Sequence, residues 1–370
     1  MGRENDFSRL ELRLPYCKDN FRYFRGLLKP STKLLVLVKA NAYGHGAVEF
    51  AAMMQSLGAD YLAVALPVEG VELRKAGISL PILVLTAGTD FFDEIIDNHL
   101  EPGIPNLYTL EAFCKRLEQR GIKDYPVHIK LDTGMHRLGF MTAELDGLLE
   151  CLAACDRVRV KSIYSHLAAS EDPEEDDFTL GQIELFQKNA TRISESVGYR
   201  PMWHILNSAG IERFSQFQFD MVRLGIGIYG ISAIPGKKLA PVASLKVKVL
   251  QVKTLRDGDG TIGYGRHGKI ALEGTTIATI PVGYADGLDR HLGRGNVTFS
   301  LNGHRVPTIG NICMDMCMLD VTGIDVKPGD TVTIFGDDPD VNELAAILGT
   351  IPYEIMTSVP KRIERIIIRG

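Results

Sequence analysis

A lysine stands at the end of the first strongly aliphatic run of the chain. Leu34-Leu-Val-Leu-Val38 leads straight into Lys39, followed by Ala40-Asn-Ala-Tyr43-Gly44-His45-Gly46. Burying an ammonium is costly, and desolvation lowers a lysine pKa. An amine so placed can attack a carbonyl and form a covalent adduct. The plainer alternative is a lysine at a strand's mouth paired with a carboxylate. Other apolar runs end on polar groups too: Lys130-Leu-Asp132-Thr-Gly-Met-His-Arg137-Leu-Gly139, Tyr164-Ser165-His166, Leu206-Asn207-Ser208 and Arg223-Leu-Gly225-Ile226-Gly227. Each alone is bland. A histidine after a strand is more often structural than catalytic, and either arginine could be a simple ion pair. Their force depends on whether the fold brings them together.

The elements that must do so follow one rhythm. From residue 34 to about 230 a short β-branched or Leu-rich run alternates with an amphipathic stretch. The runs are Leu34–Val38, Tyr61–Ala65, Pro81–Leu85, Glu101–Ile104, Val127–Leu131, Val158–Tyr164, Trp203–Leu206 and Met221–Leu224. The stretches between them have helical periodicity, as in residues 48–57 and 109–117. Strand–helix alternation implies parallel strands, and eight units fit a closed (β/α)8 TIM-like barrel, with a doubly wound sheet as runner-up. After Tyr229 the texture changes. Residues 231–238 read as a linker, and the β-rich runs 245–255, 276–280, 297–301, 315–321 and 331–334 follow, with only 341–348 helical. The expected division is an α/β barrel over residues 10–235 and a mostly β C-terminal domain over 236–370, with residues 1–14 available to join the second.

Barrel active sites lie at the C-terminal ends of the strands, and the loops after strands seven and eight often hold a phosphate. That gathers Lys39, Arg137, His166, Ser208 and Arg223 at one mouth. Ser208 offers a hydroxyl, and the Gly225-Ile226 backbone permits close approach. Gly225-Ile-Gly-Ile-Tyr-Gly230 matches G-x-G-x-x-G literally, but no helix pattern follows and residues 231–256 hold no Asp or Glu for a ribose hydroxyl. A lysine in an apolar mouth beside a phosphate grip points instead to pyridoxal 5′-phosphate.

Composition narrows the setting. The 370 residues carry 41 basic and 46 acidic side chains, a net charge of −5, which argues against a nucleic-acid partner. The longest aliphatic runs are about five residues where a membrane span needs ~20. The N-terminus lacks an apolar signal region. Six cysteines in such a chain are no disulfide framework, and neither Cys151/Cys155 nor Cys313/Cys317 has a second Cys/His pair at metal spacing. We expect free thiols, no metal and a cytoplasmic location. The acidic run Glu171–Asp177 reads as a solvated loop.

The segment Val38-Lys39-Ala-Asn-Ala-Tyr43-Gly-His-Gly46 resembles the cofactor-attachment signature of the alanine racemase family. The likeness continues through Asp132–Arg137, Asn207-Ser208, Arg223–Gly230, Gly263-Tyr264-Gly265, Gly283–Gly287, Gly310–Asp315 and Tyr353-Glu354, in order across both expected domains. There are two departures: Arg9–Leu14 lacks the usual acidic pattern, and Leu-Asp-Arg290 replaces the commoner Tyr-Pro-Arg after Gly287.

The resemblance implies a pyridoxal-phosphate-dependent, fold-type-III homodimer with active sites shared across the interface. It would interconvert L- and D-alanine and supply D-alanine for peptidoglycan. Lys39 would be the Schiff-base lysine and one acid/base, and Tyr264, from the partner subunit, the other. Bringing a tyrosine from ~10 to ~7 requires roughly 4 kcal/mol of phenolate stabilisation, which a cationic network of His166 and Arg223 would supply. Arg223 would face the pyridine nitrogen. Tyr43, Asn207, Ser208, Gly225, Ile226 and Tyr353 would hold the cofactor. Arg137, paired with Lys130 (often carbamylated in the family), would orient the substrate carboxylate or the cofactor's phenolic oxygen, the partner's Met314 and Asp315 would line the substrate pocket, and Tyr284 would line the entrance. The alternatives are a racemase acting on serine, a non-catalytic barrel that binds the cofactor, and a barrel decarboxylase.

Overall fold

In the computed structural model, which describes residues 7–369, the chain divides into two compact units. One comprises Lys18–Ala42 and Ala47–Leu239; the other comprises the chain up to Cys17, Tyr43–Gly46 and everything from Ala240. The expectation for residues 1–6 lies outside the described residues. Strand β1 (Ser8–Arg13) belongs to the second unit.

The first unit is built on eight parallel strands: β2 (Lys33–Leu37), β3 (Tyr61–Val64), β4 (Ile82–Val84), β5 (Glu101–Ile104), β6 (Tyr125–Lys130), β7 (Val158–Tyr164), β8 (Met202–His204) and β9 (Met221–Leu224). They lie side by side in chain order, and β9 returns to pair with β2. Between β8 and β9 two backbone bonds, Asp220 N–H to Trp203 O at 3.2 Å and Arg223 N–H to Leu206 O at 3.0 Å, nearly close the ring. Helices between the strands complete an eight-stranded α/β barrel. Burial on both faces explains the near-continuous aliphatic runs: Leu34, Leu35 and Val36 are all fully buried. Asn106 shows how a helix start is set, its side chain accepting from Thr109 N–H at the head of Leu107–Gln119.

Packing against the Gly225–Gly227 turn is tight. A β-carbon on Gly227 would sit 2.3 Å from the Phe24 ring. Gly227→Ala should therefore destabilise the barrel by about 1–3 kcal/mol through overpacking. A lowered midpoint in urea unfolding checks this.

The second unit adds strands β10 (Ala243–Lys248), β11 (Gln251–Leu255), β12 (Thr275–Ile280), β13 (Thr298–Leu301), β14 (His304–Pro307), β15 (Cys317–Asp320), β16 (Thr331–Phe335) and β17 (Glu364–Ile368) to β1. A six-stranded sheet runs β14-β13-β16-β10-β1-β17 and a three-stranded one β11-β12-β15. Only β1 and β17 pair in parallel.

Several expectations are corrected. The run 245–255 breaks at Val249-Leu250 into two strands in different sheets. Besides Val341–Leu348, Pro352–Thr357 is helical, begun by proline at its first position. The acidic run is not all loop. Asp172 caps the short turn Pro173–Glu175, and Asp176 and Asp177 open the long helix Asp176–Val197, where acidic groups complement the helix dipole. Nor are all six thiols free. Cys114, on the helix Leu107–Gln119, and Cys155, just after Leu145–Ala154, form a disulfide across 41 residues, a pairing that short-range spacing could not reveal. Cys17, Cys151, Cys313 and Cys317 are free. Among the described residues no helix is long and apolar enough to cross a membrane.

Candidate active site

The C-terminal ends of the barrel strands carry the chemistry. Lys39 lies just beyond β2, after the buried Val38, and is half-buried. The next residues turn in the left-handed sense, with φ of 51° at Ala40, 54° at Asn41 and 52° at Ala42. Such residues cost roughly 1–2 kcal/mol each, and strain of this kind persists where surroundings over-determine it. Two such constraints are visible. Glu69 accepts from Ala40 N–H at 2.6 Å and from Ala65 and Leu66 N–H at 2.8 and 3.0 Å. Asn41 accepts from Ala47 N–H at 3.0 Å. Burial, then the charge of Arg137, lowers the Lys39 pKa, against an opposing pull from Glu69. Sequence reasoning missed Glu69; a carboxylate in a helix after the next strand gives no local signal.

Lys130 ends β6, buried, and burial followed by the charges of Arg137 and Arg223 pushes its pKa down to about 8. Arg137 is exposed on the loop beyond it. That loop is shaped by Asp132, which accepts from Gly134 and His136 N–H, both at 3.0 Å.

Arg223, in β9, is the hub. It is 4% exposed. Its Nη1 donates to His204 Nδ1 at 3.0 Å and His204 O at 3.1 Å. Its Nη2 donates to Ser165 O at 2.5 Å, Ile205 O at 3.0 Å and His166 Nδ1 at 3.1 Å. Burial pushes the guanidinium down to about 10, which leaves it charged at neutral pH. Burial, then Arg223 and its cationic neighbours, drives the His166 pKa well below its ordinary value. This corrects the expected cationic network: Arg223 supplies the positive charge, and His166 is a neutral ring polarised by it. His204, unremarked in the sequence, is the second ring on this hub, likewise held neutral by burial.

Ser208 is buried, and its Oγ accepts from Gly225 N–H at 2.9 Å and Gly227 N–H at 3.1 Å. A hydroxyl accepting twice from backbone keeps its own proton to donate. Asn207 is committed to structure: its Oδ1 accepts from Gly210 N–H at 2.8 Å, capping Ser208–Arg213, and from Ser170 Oγ at 2.8 Å. The barrel mouth thus brings together Lys39, Lys130, His166, Ser208, Gly225, Ile226 and Arg223. These groups fit pyridoxal phosphate: an amine of lowered pKa for its carbonyl, a cation with Nε–H outside the bonds above for its ring, and a hydroxyl on a glycine turn for its phosphate.

The remaining predicted residues lie in the second unit. Tyr43 is buried with its ring 5.8 Å from that of Tyr353. Burial raises the Tyr43 pKa, so its hydroxyl is a donor, not a base. Tyr264, Tyr284, Met314 and Asp315 form one loop cluster. Asn311 Nδ2 donates to Tyr264 O at 2.7 Å, and the N–H groups of Tyr284 and Ala285 donate to Cys313 O at 3.1 Å and Met314 O at 3.0 Å. The Gly283 backbone comes so near that a β-carbon would lie 2.3 Å from Cys313 O. Arg362 fixes the cluster's acids, donating to Asp286 at 2.7 Å and Asp315 at 2.8 Å. Tyr264 itself is 73% exposed.

Comparison with known proteins agrees along nearly the whole chain. Residues 13–233 match the family model for the alanine racemase N-terminal domain and residues 242–367 that for the C-terminal domain. An alanine racemase of Synechocystis sp. is 37% identical over 360 residues, 94% of this chain and 95% of that one. The structure of alanine racemase from Clostridium difficile 630 superposes with a TM-score of 0.90 at 31% identity, covering 98% of this chain and 96% of that one. That of the Bartonella henselae enzyme with covalently bound pyridoxal phosphate gives 0.86 at 30% identity, covering 98% and 99%.

Proposed function

The chain belongs to the alanine racemase family and is by that membership an amino-acid racemase; from this premise we propose that it interconverts L- and D-alanine with two bases, Lys39 and Tyr264, on opposite faces of pyridoxal 5′-phosphate. The observation that carries the reading is the barrel mouth, where a lysine of lowered pKa, a buried arginine and a twice-accepting serine hydroxyl share one opening.

When bound, the cofactor supplies the electron sink that acidifies the α-hydrogen of an attached amino acid. Lys39 attaches it and afterwards holds or returns the α-proton at Nζ. Ser208, Gly225, Ile226, Tyr43 and Tyr353 grip the phosphate. Arg137, positioned by Lys130, receives the substrate carboxylate. Because Arg223 is donor-only, His166 must accept at Nδ1 and so carries its proton on Nε2, ready to donate to a phenolate. In this reading that phenolate is Tyr264 of the partner subunit, arriving with Met314, Asp315 and Tyr284. The barrel unit (Lys18–Ala42 and Ala47–Leu239) provides one base, and the unit that includes everything from Ala240 provides the other.

A homodimer is supported by the exposure of Tyr264, Tyr284, Met314 and Met316 in one region, an apolar patch that invites cover. A cytoplasmic supply of D-alanine for peptidoglycan is the use we assign. The match to the C-terminal domain disfavours a non-catalytic cofactor barrel, and Arg223 in place of an acid disfavours a decarboxylase.

An arginine opposite the pyridine nitrogen donates without fully protonating it, which weakens the sink and leaves proton exchange as the main outcome. Arg223→Glu should raise side transamination, read as pyridoxamine 5′-phosphate on incubation with alanine. A variant that forms none contradicts the placement. The reading as a whole is tested by incubating the enzyme with L-alanine and detecting D-alanine with a stereospecific oxidase; absence of D-product from any small amino acid overturns it.

A further inference from the structure

A line of buried polar side chains crosses the barrel interior from Arg223 to the opposite end of the strands. Arg223 Nη1 meets His204 Nδ1 at 3.0 Å, His204 Nε2 meets Ser162 Oγ at 2.8 Å, Ser162 Oγ meets His128 Nδ1 at 2.6 Å, and His128 Nε2 meets Glu101 Oε2 at 2.7 Å. One residue comes from each of β9, β8, β7, β6 and β5. His128, Ser162 and His204 are fully buried. Glu101 is the first residue of β5, so it lies at the end of the strands away from the mouth.

The two ends dictate the direction of every bond. Arginine can only donate and a carboxylate can only accept. His204 must therefore accept at Nδ1 and carry its proton on Nε2, from which it donates to Ser162. His128 must carry a proton on Nε2 to meet Glu101. If His128 also held one on Nδ1, Ser162 would receive two donors and its own buried proton would have no acceptor in the chain, an expensive arrangement. The consistent solution has all four bonds donated one way, from Arg223 to Glu101. Stacking of Tyr164 on His204, centroids 5.1 Å apart and planes 8° apart, holds the second ring in orientation. Tyr61 also hydrogen-bonds to Glu101, which keeps the terminal carboxylate in place.

We propose that Glu101 is a positioning residue for the reaction: as the terminal acceptor of this chain it fixes His204 as an acceptor for Arg223, and thereby holds Arg223 aimed at the cofactor ring and at His166. Were the direction reversed at His204, its Nδ1–H would face the guanidinium N–H, and Arg223 would lose a partner inside the barrel. The proposal rests on the role given to Arg223 and His166 above.

The direct test is neutron diffraction on the holoenzyme exchanged into D2O. The expected result is a single deuteron on Nε2 of both His204 and His128, with both Nδ1 atoms bare. A deuteron on His204 Nδ1 overturns the proposal. This readout does not depend on turnover, so it survives if the enzyme acts on another amino acid. Kinetics supply the second arm, with whichever substrate the wild type racemises. Glu101→Met removes the acceptor; Ser162→Ala cuts the chain at its middle with both ends intact. Each should lower kcat about tenfold, the worth of one buried hydrogen bond to a charged group, with KM unchanged. Glu101→Gln keeps a carbonyl acceptor and should restore most of the wild-type rate. Equal losses in Glu101→Gln and Glu101→Met, or no loss in Ser162→Ala, contradict the proposal.

Discussion

Lys39→Ala is expected to abolish racemisation, lowering kcat by at least about a thousandfold, since it removes one proton-transfer group outright together with covalent attachment of the cofactor. Two features make this lysine hard to replace. It sits just past a strand whose Leu34–Leu37 are buried, where burial and the charge of Arg137 lower its pKa and enlarge the fraction of free amine. Its backbone is also held, through the left-handed turn at 40–42 and the grip of Glu69 on Ala40 N–H at 2.6 Å. An exogenous amine should restore little, because it brings the base without the placement. Borohydride reduction and peptide mapping check the assignment separately: the adduct should lie on Lys39 in the wild type and vanish in the variant, and an adduct on Lys130 or any other lysine would contradict the site.

Tyr264→Phe should have the second largest effect, a fall in racemisation of about a thousandfold within the range general acid–base groups supply, with a signature that a folding defect cannot imitate. If Lys39 serves one face alone, the variant should still exchange the α-hydrogen of one alanine enantiomer with solvent while failing to invert it. Proton NMR in D2O reads this directly. Loss of exchange from both enantiomers, or retention of inversion, would contradict the two-face assignment. The phenylalanine keeps the ring, so the loop held by Asn311 through Tyr264 O stays as it is.

Much of the barrel was legible because its strands are buried on both faces and read as unbroken aliphatic runs, and because polar residues at their ends stand out against that background. Lys39, Lys130, Ser208 and Arg223 are conspicuous in this way. Glu69, Glu101, His128, Ser162 and His204 are not, because each acts through a partner 19 or more residues away in the chain, and local sequence carries no trace of a tertiary hydrogen bond. The same holds for the Cys114–Cys155 disulfide. His166 was identified, but its charge state was not: an adjacent arginine in a dry interior makes it neutral, which spacing alone cannot show. In the second unit, the single run 245–255 hid a break between two sheets, because Val249 and Leu250 continue the apolar pattern through the turn.

The measurement that bears most directly on the two-base account follows L-alanine in D2O at early times. D-alanine should appear, and its α-carbon should carry solvent deuterium, because the proton removed by one residue is replaced from a different residue on the opposite face. D-alanine that retains the original α-protium would show one group performing both transfers, and would contradict the opposed roles of Lys39 and Tyr264.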